Sequence, residues 1–162
     1  MTDAATHPPA SLETEAVRVR DLRPSDLDAV VKIDALRSGR SRGEYYMHKL
    51  QEAQESTPRI SLAAEVDGHL VGFLLGRLYY GEFGLPEPTA VIDSIGVHPE
   101  HGAQGVGQAL FEQLQRNMRS LGVEYLRTEV EWKAHDLLRF LAKQGFEPAP
   151  RLCLELRLEP TP

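Results

Sequence analysis

The stretch Ile92–Leu110, I-D-S-I-G-V-H-P-E-H-G-A-Q-G-V-G-Q-A-L, constrains the fold of this chain more than any other. Ile92, Ile95 and Val97 are strand formers, and His98-Pro99 ends the strand because proline brings no N–H to a ladder. Gly102, Gly105 and Gly107 let the backbone pass close to something bulky. From Val106 the period turns helical, with Val106, Leu110, Leu114 and Met118 at steps of four. The stretch reads as a buried strand, a turn, a glycine-rich loop and a helix start. A helix start carries unpaired N–H groups and the positive end of a dipole. Glycines there remove the side chains that would hold a phosphate away. The residues therefore propose an anion site, a pyrophosphate above all, without saying which nucleotide carries it.

The flanking chain supplies the elements such a unit packs against. Residues 1–14 are polar with a Pro-Pro pair and are expected to be a disordered lead-in to one domain over 15–162. Ala16–Arg20 alternates as a short strand. Pro24–Asp28 reads as a helix start, with Ser25 as the cap and Leu27, Val30 and Val31 on the apolar face. Arg37–Gly43 is a basic, flexible break, and a second helix begins at about Glu44 with Tyr46, Leu50 and Ala53 on one face. Ile60, Leu62, Ala64 and Val66 alternate, Asp67-Gly68 follows, and Leu70–Leu78 is again apolar, which is the signature of a hairpin. Tyr79–Pro88 is a loop leading to the strand Ala90–Val97, so three antiparallel strands form a meander. Gly122 stops the glycine helix and Tyr125–Val130 is a strand, which makes a right-handed parallel crossover. A helix over Ala134–Gln144 closes at Gly145. Leu152, Leu154, Leu156 and Leu158 then alternate with Arg151, Cys153, Glu155 and Arg157, as a last strand with one buried and one wet face.

Composition narrows the partners. A net charge of −6 argues against nucleic acid, whose phosphates need a basic surface. It suits a cationic acceptor such as an amine, and equally a plain solubility setting. No apolar run is long enough to cross a bilayer. The start M-T-D-A-A-T-H-P-P-A is not built like a signal peptide. The single cysteine, Cys153, leaves no internal disulfide to form and fits a reducing compartment. A cytoplasmic protein without membrane contact is expected, and the sequence leaves room for a homodimer. His98, Glu100 and His101 in the loop and His135 near a helix start do not make a zinc spacing, so no metal is expected.

The same stretch resembles motif A of the GNAT acyltransferase superfamily, in which valine, any residue and proline precede Gln/Arg-x-x-Gly-x-Gly/Ala at a helix start. Val97-His98-Pro99 and Gln104-Gly105-Val106-Gly107 match; Gly102 stands at the Gln/Arg place. The resemblance covers about Val17 to Leu158. It implies an α/β GNAT fold: a mixed central sheet, made of an antiparallel meander plus one parallel β-α-β crossover, flanked by helices and finished by a terminal hairpin. It implies acetyl-CoA as co-substrate, with its pyrophosphate on Gly102, Ala103, Gln104, Gly105, Val106, Gly107 and Gln108. The pantetheine arm would enter where two strands splay, against the backbone of Ile95 and Val97. The region between the first strand and the hairpin would form one wall of the acceptor site, giving Glu44, Tyr45 and Tyr46 a substrate role. The alternative is that one tyrosine packs and Glu44 is solvated.

Acetyl transfer to an amine needs a held thioester, a donor for the developing oxyanion and a base for the ammonium proton. A glutamate at the matching strand position is the base in the protein N-terminal branch of the family, which points to Glu129. Asp93, Ser94 and Glu131 compete with it. On a regular strand Asp93 shares a face with Ile95 and Val97 while Ser94 points away; a bulge would undo this. Many GNAT enzymes carry an Asn near the start of the second crossover helix and a Tyr within it that protonates the departing sulfur. Ala134 and Leu141 fill those places here, which leaves water or a different tyrosine, such as Tyr45, Tyr46 or Tyr79, to substitute. The reading is an acetyl-CoA-dependent N-acetyltransferase acting on a primary amine by direct attack. The rivals are a non-catalytic acyl-CoA-binding regulatory module and a nucleotide-binding protein of another class.

Overall fold

Asp67 and Gly68 adopt positive φ, 50° and 76°, the pairing a tight two-residue hairpin turn demands. They join β2 (Leu62–Val66) to β3 (His69–Tyr79). The computed structural model describes residues 16–56, 60–81 and 84–158; the lead-in expected at 1–14 lies outside them. β1 (Arg18–Asp21) pairs antiparallel with β2, and β3 with β4 (Thr89–Val97). β4 in turn runs parallel to β5 (Tyr125–Thr128). Among the described residues this is one mixed five-stranded sheet in the order β1-β2-β3-β4-β5. The parallel step is crossed by α3 (Val106–Ser120), after which Gly122 turns left-handed.

The chain divides into two compact units, Met1–Glu129 and Val130–Pro162. In the first, α1 (Leu27–Ser38) and α2 (Gly43–Glu55) cover one face of the sheet. Val30, Ile33, Tyr46 and Leu50 from these helices form a buried cluster with Ala63, Phe73 and Leu75 of the strands. Helix α3 covers the opposite face through Val106, Leu110 and Leu114, each fully buried. Two glycines set these distances. A Cβ on Gly72 would lie 2.6 Å from Val106, and one on Gly96 would lie 2.6 Å from the Phe73 ring and 3.2 Å from Ile33. The second unit holds α4 (His135–Lys143), closed by Gly145 at φ 89° with the Phe146 amide donating to the Leu141 carbonyl at 3.0 Å.

Four expectations are corrected. The 3₁₀ turn Pro24–Asp26 precedes α1, and its cap is not Ser25: Asp26 reaches back and accepts from the Arg23 amide at 2.7 Å. In β2 Ala63 is as buried as Leu62 and Ala64, because the sheet has helices on both faces and alternation then no longer separates wet from dry. Finally, residues 151–158 form no strand, and Leu152, Leu154, Leu156 and Leu158 are 79–87% exposed. Alternation specifies two faces only once a neighbouring ladder exists, and β propensity is largely a property of that context. The terminal hairpin is therefore not formed. The strand expected over Tyr125–Val130 also stops earlier, at Thr128.

Two buried carboxylates pin the helices. Burial raises the proton affinity of Asp26, but hydrogen bonds from Arg20 (2.7 and 2.8 Å) and the Arg23 amide outweigh it and hold the carboxyl below its ordinary 3.8. Hydrogen bonds from Arg42, opposed by burial and helped by the Tyr46 hydroxyl at 3.0 Å, do the same to Asp34. Both groups bind protons less tightly folded than unfolded. Their stabilisation is complete above about 4, the ordinary unfolded value, and is lost as pH falls below it, because the unfolded chain takes up the protons. Thermal melts between pH 6 and 3 should show a falling midpoint in that acid range. Asp34→Asn, which cannot titrate, should flatten the fall.

Candidate active site

The glycine loop presents open amides. After β4, Pro99–His101 makes one 3₁₀ turn, with the Gly102 amide donating to Pro99 at 3.3 Å and the Gln104 amide to His101 at 3.2 Å. The first amide to bond back along α3 is that of Ala109, to the Gly105 carbonyl at 2.9 Å. The amides of Gly105, Val106, Gly107 and Gln108 therefore make no backbone hydrogen bond among the described residues, as the first turn of a helix requires. Residues Gly102–Gly105 and Gln108 are exposed, while Val106 is buried and anchors the turn against the sheet at Gly72. Gly105 is glycine for a conformational reason: φ is 73° and nothing lies within 4 Å of its missing Cβ. Gly102 is not so constrained, with φ −62° and ψ −29°. Its amide is already committed to Pro99.

The strands part where the loop's ligand would lead. Parallel pairing of β4 with β5 ends at Ile92↔Thr128, where the Thr128 hydroxyl donates to the Ile92 carbonyl at 3.0 Å. Beyond that rung β4 continues to Val97 paired with β3 only, and Glu129 is the first residue past β5. The register thus sets Asp93 and Glu129 on the two lips of one fork. Glu129 is exposed; Ser94, Ile95 and Val97 are partly buried.

A bulge falls at this place. Leu75 pairs with Ser94 but Gly76 pairs with Ile92, so Asp93 is the extra residue. The consequence corrects the alternation argument, since an inserted residue brings two successive side chains toward the same side. Asp93 Oδ2 lies 3.4 Å from Lys49 Nζ of α2 and 3.1 Å from Arg77 Nε of β3. Ser94 lies against the hydroxyl of the buried Tyr46 of α2, whose pKa it draws down slightly. Asp93 and Ser94 therefore share the α1/α2 side, the side to which Gly96 also points.

The three expected wall residues separate. Tyr46 is buried: desolvation, then the charge of Asp34, pushes its hydroxyl up to about 12. It packs edge-on against Phe73 at 5.6 Å. Tyr45 is 38% exposed, beneath the Arg42 guanidinium at 5.3 Å and the Lys49 ammonium at 5.9 Å. Glu44 lines an open groove of about 390 Å³ with Leu27, Val31 and Met47, on a different helix face from Tyr45 and Lys49. Lys49, Arg77, Asp34 and Arg42 were not anticipated. Lys49 was within reach, being four residues after Tyr45 on the same helix stripe; the others carry no sequence pattern. Among the described residues, no group of three or more His, Cys, Asp or Glu is placed to hold a metal, and no helix is long and apolar enough to cross a membrane.

A glycine loop opening onto a forked parallel pair is matched by a known family. The model of the acetyltransferase (GNAT) family fits residues 27–146. This chain belongs to the GNAT family. It is 27% identical over 136 residues to an N-alpha-acetyltransferase of Sulfurisphaera tokodaii, covering 80% of each protein. The ribosomal-protein-alanine N-acetyltransferase of Brucella melitensis superposes with a TM-score of 0.69 at 25% identity, over 88% of this chain and all of that one. An aminoglycoside N-acetyltransferase solved with CoA superposes with a TM-score of 0.72 at 16% identity, over 88% and 95%, a likeness of fold. The GNAT protein described here is an acetyl-CoA-dependent N-acetyltransferase.

Proposed function

We propose that this GNAT enzyme acetylates the α-amino group of a peptide or protein chain, by direct attack on acetyl-CoA held in the fork. The observation that carries this reading is the parting of β4 from β5 after Ile92 and Thr128, in line with the open amides of Gly105–Gln108. The pyrophosphate takes those amides, with Ala103 and Gln104 beside them and Gly102 giving clearance. The thioester lies along β4, its carbonyl oxygen meeting backbone N–H groups at Ile95 to Val97 as it becomes an oxyanion. Glu129, at the mouth of the fork, takes the ammonium proton directly or through a water. The amine lone pair then forms the C–N bond as the C–S bond breaks. Asp93, engaged by two cations, holds the bulge and not the proton. Leu141 and Ala134 supply no acid, and a thiolate whose conjugate acid has a pKa of about 8.5 leaves without one, at a loss of about 10²-fold or less.

The peptide acceptor is favoured over an aminoglycoside on two grounds. The relative at 25% identity is named for alanine of a ribosomal protein and the one at 27% as an N-alpha-acetyltransferase, whereas the aminoglycoside enzyme shares only the fold. The α2 side of the fork also mixes Lys49 and Arg77 with Asp93 and Glu52, where a polycation would be met better by acid alone.

Calorimetric titration with acetyl-CoA, then thiol release on a panel of short peptides, small amines and an aminoglycoside, tests the assignment. Peptides should be preferred; a stronger response to small amines or the aminoglycoside would overturn the acceptor. Leu141 and Ala134 favour a second reading, a non-catalytic acyl-CoA-binding module, for which acetyl-CoA binds and no acceptor releases thiol. A separate gain-of-function result is expected at Gly102. Its backbone suits any residue, and a Cβ there would meet only the Pro99 carbonyl at 3.4 Å. Gly102→Gln should fold normally and lower the acetyl-CoA dissociation constant about threefold to tenfold, the gain of one hydrogen bond to a charged group at an exposed position.

A further inference from the structure

The cations around Asp93 are loosely held. Elsewhere in the first unit guanidinium–carboxylate contacts are short, 2.6–2.8 Å in the Arg20 cluster. Beside the fork they are long: Lys49 Nζ is 3.4 Å from Asp93 and 3.3 Å from Glu52, and Arg77 is 3.4 Å from Glu52. Arg77 Nε pairs with Asp93 Oδ2 at 3.1 Å, the shortest contact of the group. That buried nitrogen stays with Asp93, while the outer guanidinium nitrogen, Nη1, is the one that faces Glu52. The two carboxylates differ. Asp93 is 17% exposed and fixed by the bulge, whereas Glu52 is 49% exposed and lies on α2 at the rim. Glu52 is thus the displaceable partner. Lys49 also stands over the exposed ring of Tyr45, which gives the same place an apolar wall.

We propose that Lys49 and Arg77 form a carboxylate-binding subsite for the acceptor, so that preferred amines carry an acidic group near the reacting nitrogen. An incoming carboxylate displaces Glu52 and takes the donors that Glu52 meets only at long range, while Asp93 stays in place. This rests on the reading above, that the acceptor reaches the fork from the α2 side. The acid can come from a side chain close to a peptide N-terminus or from the α-carboxylate of a free amino acid, and the two sources are separable by experiment.

The test uses the full chain, acetyl-CoA and matched peptides with Glu, Gln or Lys at the second residue, together with free amino acids. For the wild type, kcat/KM should be about tenfold higher for Glu than for Gln, a ratio that shrinks in high salt as screening of a partly exposed ion pair requires. Lys49→Gln should raise KM for the Glu peptide about tenfold more than it raises KM for the Gln peptide. Glu52→Gln removes the internal competitor from an exposed position, so it should lower KM for the Glu peptide severalfold. That opposite sign separates recognition from damage to the fold. If amino acids are acetylated well and the peptides poorly, the α-carboxylate is the source; the reverse assigns the side chain. A wild type that acetylates Glu and Gln peptides equally overturns the subsite and leaves the acetyltransferase reading intact. A wild type that binds acetyl-CoA but acetylates nothing overturns both.

Discussion

Glu129→Gln is expected to lower kcat by about 10²- to 10⁴-fold, the usual weight of a positioned general base, while the acetyl-CoA dissociation constant stays within twofold. The reason is placement. Glu129 follows the last rung of β5 directly, on the lip of the fork opposite Asp93, and its side chain is exposed. On the proposed reading it is at hand for an acceptor nitrogen, and it is not among the residues that would grip the pyrophosphate. Glutamine preserves the volume and removes the proton acceptor. The companion variant Asp93→Asn should behave differently, loosening Lys49 and Arg77 and so moving KM for the acceptor more than the rate at saturation. Rates measured between pH 6 and 9 add a second check. A base is replaced by solvent hydroxide as pH rises, so the Glu129→Gln deficit should narrow at high pH. An Asp93→Asn enzyme that loses more kcat than Glu129→Gln would reverse the assignment.

The second large effect is expected at Gly105. Its φ of 73° is a left-handed conformation, in which a β-carbon costs about 1–2 kcal/mol and a β-branched residue more. Nothing lies within 4 Å of the site, so the penalty is conformational and is relieved only by moving the loop. Gly105→Val should weaken acetyl-CoA binding at least about tenfold, the equivalent of roughly 1.4 kcal/mol. The melting temperature should shift by only a few degrees, at about 2–4 °C per kcal/mol for a chain of this size. Calorimetry and a thermal melt on one sample measure both. A large drop in melting temperature with unchanged affinity would place the glycine in the fold and not in the site.

Much of the architecture was readable from local chemistry. Asp67-Gly68 demanded a hairpin, and the change of period at Val106 marked α3; both are dictated within a few residues. The glycine loop was legible for the same reason, since Gly105 needs its own φ and nothing distant. The features that escaped notice depend on neighbours far along the chain. The bulge at Asp93 is a mismatch between two strands, and a one-residue offset moves a side chain to the other face. Asp26, not Ser25, caps the turn because Arg20 of β1, itself held by Glu65 of β2, draws it inward. The leucines at 152–158 kept perfect alternation and formed no strand, because alternation is a necessary pattern and pairing supplies the rest. Tyr46 and Tyr45 are adjacent in sequence yet one packs and the other is exposed, a division set by which helix stripe meets the sheet.

The hydroxyl clasp between Thr128 and Ile92 has a bearing on how the enzyme can be altered. On the function proposed above, a tail laid into the opening would advance only to that last closed rung, its depth metered in whole-residue steps. Apart from Thr128 itself, exchanging one side chain for another leaves such a gauge in place. Lengthening or shortening the reach would take an insertion or a deletion in one of the two strands, which slides the zipper's end to a different tooth.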